Sequence, residues 1–383
     1  MIITVVTDVL GKENNGTTIA AMNLIRYLKG RGHEVRVVCP DETKKQEEGF
    51  FIAPVRNLGP INAILRMNGV QLAGNDDGLL RKALKNADVV HVMLPFKLGK
   101  AAVKTANELG IPVTAGFHMM AENVTAHLSL MNFKPMNDAI YKSLKPFYDR
   151  CFAIHYPTAY LKTLYESFNG PTNGYIISNG VNESFRKTTV TRPKILKDKF
   201  VILYTGRLSK EKTHSVLVDG VKRSKYSDRI QLVFAGAGPK KNSIEKRAEG
   251  LRNPPIIRFF SRENMLKIIN CADLYVHAAE IEAEGISCLE AISCGLVPVI
   301  SDSPRCATKE YALTEKNLFR YNDPGDLADK IDYWIEHPEE KASLSEKYVE
   351  YSADRFDESR CMERMEAMLV DAKNRFVRYA AKE

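Results

Sequence analysis

No run of about 18 apolar residues, the length a membrane-crossing helix needs, occurs in this 383-residue chain. The apolar start, Met1 to Leu10, has no basic flank before it and runs into a Gly-containing loop. It reads as a first buried strand and not as a signal peptide. Cysteines number seven, at 39, 151, 271, 288, 294, 306 and 361, and no C-x-x-C occurs. An odd and scattered set argues against a disulfide framework and against a zinc site. Reduced, mostly buried thiols in a cytoplasmic protein are the expectation. The G-x-G-x-x-G fingerprint is missing, which argues against a nicotinamide dinucleotide. There is no basic stripe with interleaved stacking aromatics, so nucleic acid is not an expected partner. Low-complexity segments are absent as well.

What remains is an ordinary globular composition, 44% hydrophobic and 27% charged. The length suggests two domains. The formal charge is +8, of which residues 1–190 carry +6 and residues 191–383 carry +2. An excess in the first half suits an anionic membrane surface or an anionic acceptor.

Short apolar runs alternate with helical patterns. Ile2 to Thr7, Glu34 to Cys39, Asp88 to Met93 and Ile111 to Phe117 read as strands; Ile19 to Leu28 and Lys100 to Leu109 read as helices. The alternation restarts with Phe200 to Tyr204, Ile230 to Ala235, Leu274 to His277 and Val297 to Ile300. Such order implies parallel sheets with right-handed crossovers. The expected architecture is α/β, with two Rossmann-like domains. An N-terminal domain spans 1–181, a polar linker with Arg192-Pro193 spans 182–199, and a second domain spans 200–355. Beyond Pro338 only helical periodicity continues, and a final helix, 356–383, is expected to pack back on the first domain.

Four places carry candidate chemistry. Gly11 to Thr18 follows the first strand, and a glycine such as Gly16 lets backbone amides approach a phosphate at a helix start; a plain turn explains it equally well. Gly206-Arg207-Leu-Ser-Lys-Glu-Lys212 sets an Arg fork and a Lys point charge around a turn, a sound pair for a diphosphate, although a solvated charge cluster looks similar. Gly236-Ala-Gly238-Pro239 permits close backbone approach after a strand, or simply a tight turn. The strongest signal is Glu282-Ala-Glu-Gly285-Ile286-Ser287-Cys-Leu-Glu290, in which seven residues separate Glu282 from Glu290. The first carboxylate is expected in a loop and the second on a helix starting near Ile286, whose free amides suit a phosphate.

This last segment resembles the E-x7-E signature of the retaining family-4 glycosyltransferases of GT-B fold, through Glu282, Gly285, Leu289, Glu290, Ala291, Gly295, Pro298 and Val299. Gly206-Arg207 with Lys212 is similar to the family's G-R-x-x-x-x-K. Ser178-Asn179-Gly180-Val181-Asn182 is similar to its P-N-G-V-D, and Gly16 matches the donor-side glycine of its first loop. The resemblance implies two domains facing a cleft and a nucleotide-sugar donor as co-substrate. It implies that Arg207 and Lys212 neutralise the diphosphate, that the Ile286 and Ser287 amides meet it, and that Gly238 and Gly285 line the donor site. Glu282 would contact the transferred sugar, Glu290 the ribose hydroxyls, and His118, after Thr114-Ala-Gly-Phe, the sugar from the acceptor side. Departures are Ala283 and Glu284 for the usual Gly and Phe, Ser287 for Pro, and Thr213 where a Gly commonly follows the Lys. No Asp-x-Asp occurs, which fits a fold that needs no bound metal or other cofactor.

Ala115 to His127 is similar to enzymes of low-GC bacteria that glycosylate diacylglycerol or related lipids. The following stretch, Leu128 to Arg150, interleaves Leu128, Leu130, Met131, Phe133, Met136, Ile140, Leu144 and Phe147 with Lys134, Lys142, Lys145 and Arg150. It fits a bilayer interface or a core-facing helix with a wet basic face. The expectation is a hexosyltransferase, with glucose from UDP-glucose passed to a membrane lipid, acting peripherally on the inner face of the cell membrane. The alternatives are a soluble or polysaccharide acceptor, with GDP-mannose as a possible donor, and a non-catalytic scaffold subunit.

Overall fold

The structure is a computed structural model. It describes residues 1–8, 16–56, 59, 72–126 and 130–380, with side chains to 376. The chain forms two compact units, Met1–Gly180 with Glu358–Glu383, and Val181–Asp357.

The first unit holds strands β1 (Ile2–Val6), β2 (Glu34–Cys39), β3 (Phe50–Ile52), β4 (Val89–Val92), β5 (Val113–Gly116), β6 (Ala153–Tyr156) and β7 (Gly174–Ile176). They form one sheet in the order β3-β2-β1-β4-β5-β6-β7, and every pairing is parallel. The central strands are buried along their whole length, as a sheet covered on both faces requires. The order reverses between β1 and β4, the kind of point where open α/β sheets leave a crevice at the strands' carboxyl ends. Asp8 closes β1 there. Its buried carboxylate accepts the Leu98 and Gly99 amides at 3.1 and 3.2 Å, and so caps helix Lys97–Glu108, whose own N-cap Phe96 supplies no side-chain bond.

Helix Glu358–Ala380 completes this unit from the far end of the chain. Cys361, Met362, Met365, Met368, Leu369 and Ala372 recur at helical spacing and are buried against Ile3, Val5, Leu24 and Leu28. At its rim Glu366 meets His33 at 2.7 Å and Arg31 at 3.1 Å. Each fully buried apolar side chain contributes about 1.5–3 kcal/mol as an upper estimate, against about 0–1 kcal/mol for an ion pair with an exposed partner such as Arg31–Glu366. The apolar stripe therefore decides where this helix docks.

The second unit holds β8 (Phe200–Thr205), β9 (Ile230–Ala235), β10 (Ile256–Arg258), β11 (Leu274–His277), β12 (Ile281–Glu282), β13 (Pro298–Ser301), β14 (Arg305–Cys306) and β15 (Leu318–Phe319). Its main sheet runs β10-β9-β8-β11-β13-β15, all parallel, and β12 pairs with β14 beside it. Residues 182–199 run along this unit. The Lys187 ammonium donates to Ser345 at 3.0 Å, the Thr188 amide to Asn270 at 2.7 Å, and the Arg192 guanidinium to Asp273 at 2.8 Å. No disulfide joins any of the seven cysteines, and all but Cys151 are buried. Among the described residues no helix is long and apolar enough to cross a membrane.

Candidate active site

The second sheet carries most of the candidate residues beyond its carboxyl ends. β8 runs into Gly206, whose φ is +141°, and the loop after β9 lies directly on it. Leu208 N–H donates to the Ala237 carbonyl at 2.9 Å and Lys240 N–H to the Leu208 carbonyl at 3.0 Å. A Cβ at Gly236 would stand 1.8 Å from the Gly206 carbonyl oxygen, and one at Gly238 would stand 2.5 Å from that of Leu208. The close approach these glycines permit is thus first of all between two loops.

After that crossing, Lys210–Lys212 makes a 3-10 turn and helix His214–Arg223 begins. Between them Thr213 sits at φ +43°, ψ +41°, the left-handed conformation a β-branched residue rarely takes. Its hydroxyl donates to the Ala278 carbonyl. Tyr204 Oη donates to the Lys212 carbonyl at 3.0 Å. These two bonds hold a backbone that costs on the order of 1–3 kcal/mol, and they aim Lys212 back at the sheet.

Lys212 Nζ donates to Glu282 Oε2. His277 Nε2, fully buried at the end of β11, lies 3.3 Å from the same oxygen. Burial alone would raise the Glu282 carboxyl, but the Lys212 charge and His277 outweigh it and hold it at about 2. Glu282 is therefore a carboxylate at neutral pH, an acceptor of hydrogen bonds and a poor proton donor. It stands on strand β12 and not in a loop: pairing with β14 sets Glu282 opposite Cys306 and fixes its direction. Glu280 and Glu284 are buried, and Glu280 pairs with Arg305. Arg207 reaches the other way, with Nη2 donating to Glu211 Oε1 at 3.1 Å, and half of its side chain stays exposed. Ser209 donates to the same Glu211 oxygen at 2.5 Å.

Gly285, at φ +77°, is the N-cap of helix Ile286–Ser293 and offers no side-chain cap. The Cys288 and Leu289 amides already point back to its carbonyl at 2.8 and 3.2 Å, so those of Ile286 and Ser287 stand at the open head of the helix. Ser287 Oγ donates to the Thr205 carbonyl at 3.2 Å, tying that head to the end of β8. One helical turn on, Glu290 is half-buried, and among the described residues its carboxylate accepts no hydrogen bond. Burial raises it from 4.5 to about 7, with Arg262 pulling the other way. The second unit thus gathers Lys212, Glu282, Gly285, Ile286, Ser287 and Glu290 around one helix head, with Arg207 and Gly238 on the adjoining loops.

The first unit carries the rest. His118 lies two residues past β5, its imidazole laid over Gly116. Gly16 opens helix Gly16–Gly30, while the loop before it, 9–15, lies outside the described residues. His127, Leu128 and Ser129 lie outside them too. From Leu130 the expected amphipathic stretch is two short helices, Lys134–Ser143 and Lys145–Tyr148, that meet at Leu144. Met131, Tyr141, Phe147 and Tyr148 are buried; Lys134, Lys142 and Lys145 are exposed. Lys134 pairs with Asp138 at 2.6 Å and Lys145 with Asp149 at 2.8 Å.

The sequence profile described as Glycosyltransferase Family 4 matches residues 14–185, and that described as Glycosyl transferases group 1 matches residues 186–351. The chain belongs to the family-4 glycosyltransferases. Among the relatives of this glycosyltransferase is the alpha-monoglucosyldiacylglycerol synthase of Acholeplasma laidlawii, 26% identical over 307 residues, which are 75% of this chain and 76% of that protein. Another is the GDP-mannose-dependent alpha-mannosyltransferase of Corynebacterium glutamicum, 27% identical over 300 residues, 75% of this chain and 68% of that one. The crystal structure of Anabaena HepE with UDP-glucose matches 96% of this chain and 99% of its own at a TM-score of 0.70 and 15% identity, a likeness of fold. The two parallel-sheet α/β units are those of a GT-B glycosyltransferase.

Three residues at this glycosyltransferase's site escaped the sequence reading. His277 was visible as a polar end to an apolar strand. Glu211 was visible as the i+4 partner of Arg207. Arg262, whose charge lowers the Glu290 carboxyl, opens helix Arg262–Cys271, belongs to no motif and left no signal.

Proposed function

We propose that this glycosyltransferase moves a hexose, glucose from UDP-glucose in the first instance, to a hydroxyl of a membrane lipid such as diacylglycerol, with retention at the anomeric carbon. The observation that carries the reading is the Lys212–Glu282 pair beside the uncapped helix head at Ile286 and Ser287, with Glu290 one turn along. In this assignment the helix head, Arg207 and Lys212 take the donor's diphosphate, where negative charge grows as the bond to the sugar breaks. Glu282, kept ionised, accepts hydrogen bonds from hydroxyls of the transferred sugar. Glu290 accepts those of the ribose, and His118 is assigned to the transferred sugar. A carboxyl held at about 2 is a weak base. The acceptor hydroxyl's proton is therefore assigned to the departing phosphate oxygen.

The names of relatives support the acceptor and donor classes in different directions. The Acholeplasma protein's name supports a diacylglycerol lipid, and the Corynebacterium protein's name supports mannose from GDP-mannose as the second reading. A screen of UDP-glucose, UDP-galactose and GDP-mannose with lipid and soluble acceptors separates them. The product is expected to keep the donor's anomeric configuration, seen by NMR, and activity is expected to persist in a metal chelator. An inverted product removes the retaining assignment.

Membrane attachment is expected through Lys134, Lys142 and Lys145, beside Leu130 and Phe133, which are 40% and 53% exposed. A basic side chain near an anionic surface adds about 1 kcal/mol. Asp138 and Asp149 offset two of the three, so attachment should be weak, reversible and screened by salt. Co-sedimentation should require anionic lipid, and K134E/K142E/K145E should abolish it while donor affinity stays unchanged. Wild-type protein that ignores anionic vesicles at low salt yet glycosylates a soluble acceptor transfers the assignment to the second acceptor class.

A further inference from the structure

Three histidines meet inside the first unit. His91 is on β4 and His155 on β6; His118 follows β5, the strand between them. The rings of His91 and His155 are 6.5 Å apart, and His118 meets His155 edge to face at 5.1 Å and 71°. Among the described residues each ring buries a nitrogen that has no hydrogen-bond partner: His91 Nε2, His118 Nε2 and His155 Nδ1. Among the described residues no such group converges as a metal-ligand set.

Four contacts restrict this arrangement. His155 Nε2 is 2.6 Å from the Ile177 carbonyl, which can only accept, so the proton of the neutral ring sits on Nε2 and a bare lone pair sits on Nδ1. Behind His118 the sheet is floored by Gly116. A Cβ there would stand 2.3 Å from His118 Nε2 and 2.5 Å from its Cδ2. The floor is itself pinned, because the buried Tyr148 hydroxyl donates to the Gly116 carbonyl at 2.9 Å. His91 is fixed in turn by Thr114 Oγ1 at 2.8 Å.

We propose that His155 is a positioning residue for His118: its ring, locked by Ile177, and the bare floor at Gly116 together fix the plane of the His118 imidazole and so decide which ring nitrogen meets the sugar. The inference rests on the assignment of His118 to the transferred sugar. Burial supports it by keeping the trio uncharged, with His91 at about 3, His155 at about 4 and His118 well below its ordinary value. Among the described residues the groups facing the trio are the three rings themselves, Thr114, Tyr148 and, from the C-terminal helix toward His155, Arg364. All of these are neutral or cationic, so none favours a proton on His118. A neutral ring in a fixed plane presents either a donor or an acceptor to a hydroxyl, not an average of the two.

The test uses the full chain and two readouts. Long-range proton–nitrogen NMR of His118 should show one neutral tautomer that does not titrate between about pH 5 and 8. In His155→Phe the tautomers should mix, and kcat for transfer should fall roughly 10-fold or more with the donor KM unchanged, as expected when a group is misplaced rather than removed. His155→Gln, whose amide can still donate to Ile177, should recover much of both. Gly116→Ala should displace the ring and lower kcat likewise, and it serves if His155→Phe does not fold. His118 signals in folded His155→Phe and Gly116→Ala that superimpose on the wild type would overturn the proposal. If those signals move while His118→Ala transfers sugar at the wild-type rate, positioning stands and the sugar-contacting role of His118 falls instead.

Discussion

Replacing Lys212 with alanine is expected to lower kcat for transfer by about 10²–10³, the loss measured when one preorganised donor to a developing oxyanion is removed. The structure adds a second reason. Lys212 is the main charge that outweighs burial at Glu282, and without it His277 alone opposes the desolvation of that carboxylate. Lys212→Ala should therefore also raise the Glu282 carboxyl and add an acid limb from that group to kcat at saturating donor, separate from any effect of Glu290 on donor affinity. Glu282 has a depressed folded value, so its pairing contributes stability above pH 4.5, lost as pH falls toward about 2. Removing one partner of such a pair leaves the other unpaired and destabilises more than removing both. The double variant Lys212→Ala/Glu282→Gln should thus melt higher than Lys212→Ala alone while remaining as inactive. Arg207, half exposed and tied to Glu211, should cost less when replaced by alanine, and it should cost kcat more than stability. A folded Lys212→Ala variant with wild-type kcat would take the lysine out of the chemistry.

Much of the candidate site's placement could be read from spacing, because its residues sit on short segments that follow strands. β8, β9 and β11 are mostly apolar runs of four to six residues, the first two followed directly by glycine and the third ending in His277, and their ends place Gly206, Gly236 and the acidic segment. The left-handed Gly285 and the helix after it follow from one glycine before an apolar run. What escaped was of two kinds. β7 and β10 have three residues each, β12 and β14 two, too few for any alternation to register, and they exist because a neighbouring strand supplies their partners. Contacts between distant segments escaped as well. That His277 and Lys212 share one oxygen of Glu282, or that the Arg262 charge acts on Glu290, depends on sheet order and not on local pattern. The basic stretch after Leu130 shows the same limit in reverse. Its mixture of apolar and basic residues was plain, but the turn at Leu144 and the pairing of Lys134 with Asp138 and of Lys145 with Asp149 divide what looked like one amphipathic face.

Glu290 should make donor binding depend on pH near neutrality. Its carboxyl is raised to about 7 by burial, and Arg262 moderates the rise. Ribose hydroxyls donate, so only the ionised form can accept both of them, and the free protein is ionised above about pH 7 and protonated below it. Donor affinity should therefore increase from pH 6 to pH 8 and level off, with a midpoint near 7 that moves upward in Arg262→Ala. The opposite sign applies to folding. A carboxyl whose folded value exceeds its unfolded one favours the folded state below about 4.5, and that contribution is lost as pH rises through about 7. Binding and stability should consequently run in opposite directions across one pH window, a signature that a merely structural glutamate would not give. Glu290→Gln should remove the pH dependence of binding. Glu290→Ala should weaken the donor on the order of 10²-fold or more, because two hydrogen bonds to a charged group, at about 1.5–3 kcal/mol each, disappear together. Isothermal titration with UDP and UDP-glucose at three pH values measures all of this directly. An affinity that is flat from pH 6 to 8 in the wild type, or undiminished in Glu290→Ala, would move the ribose contact to another residue and leave Glu290 as part of the helix's packing alone.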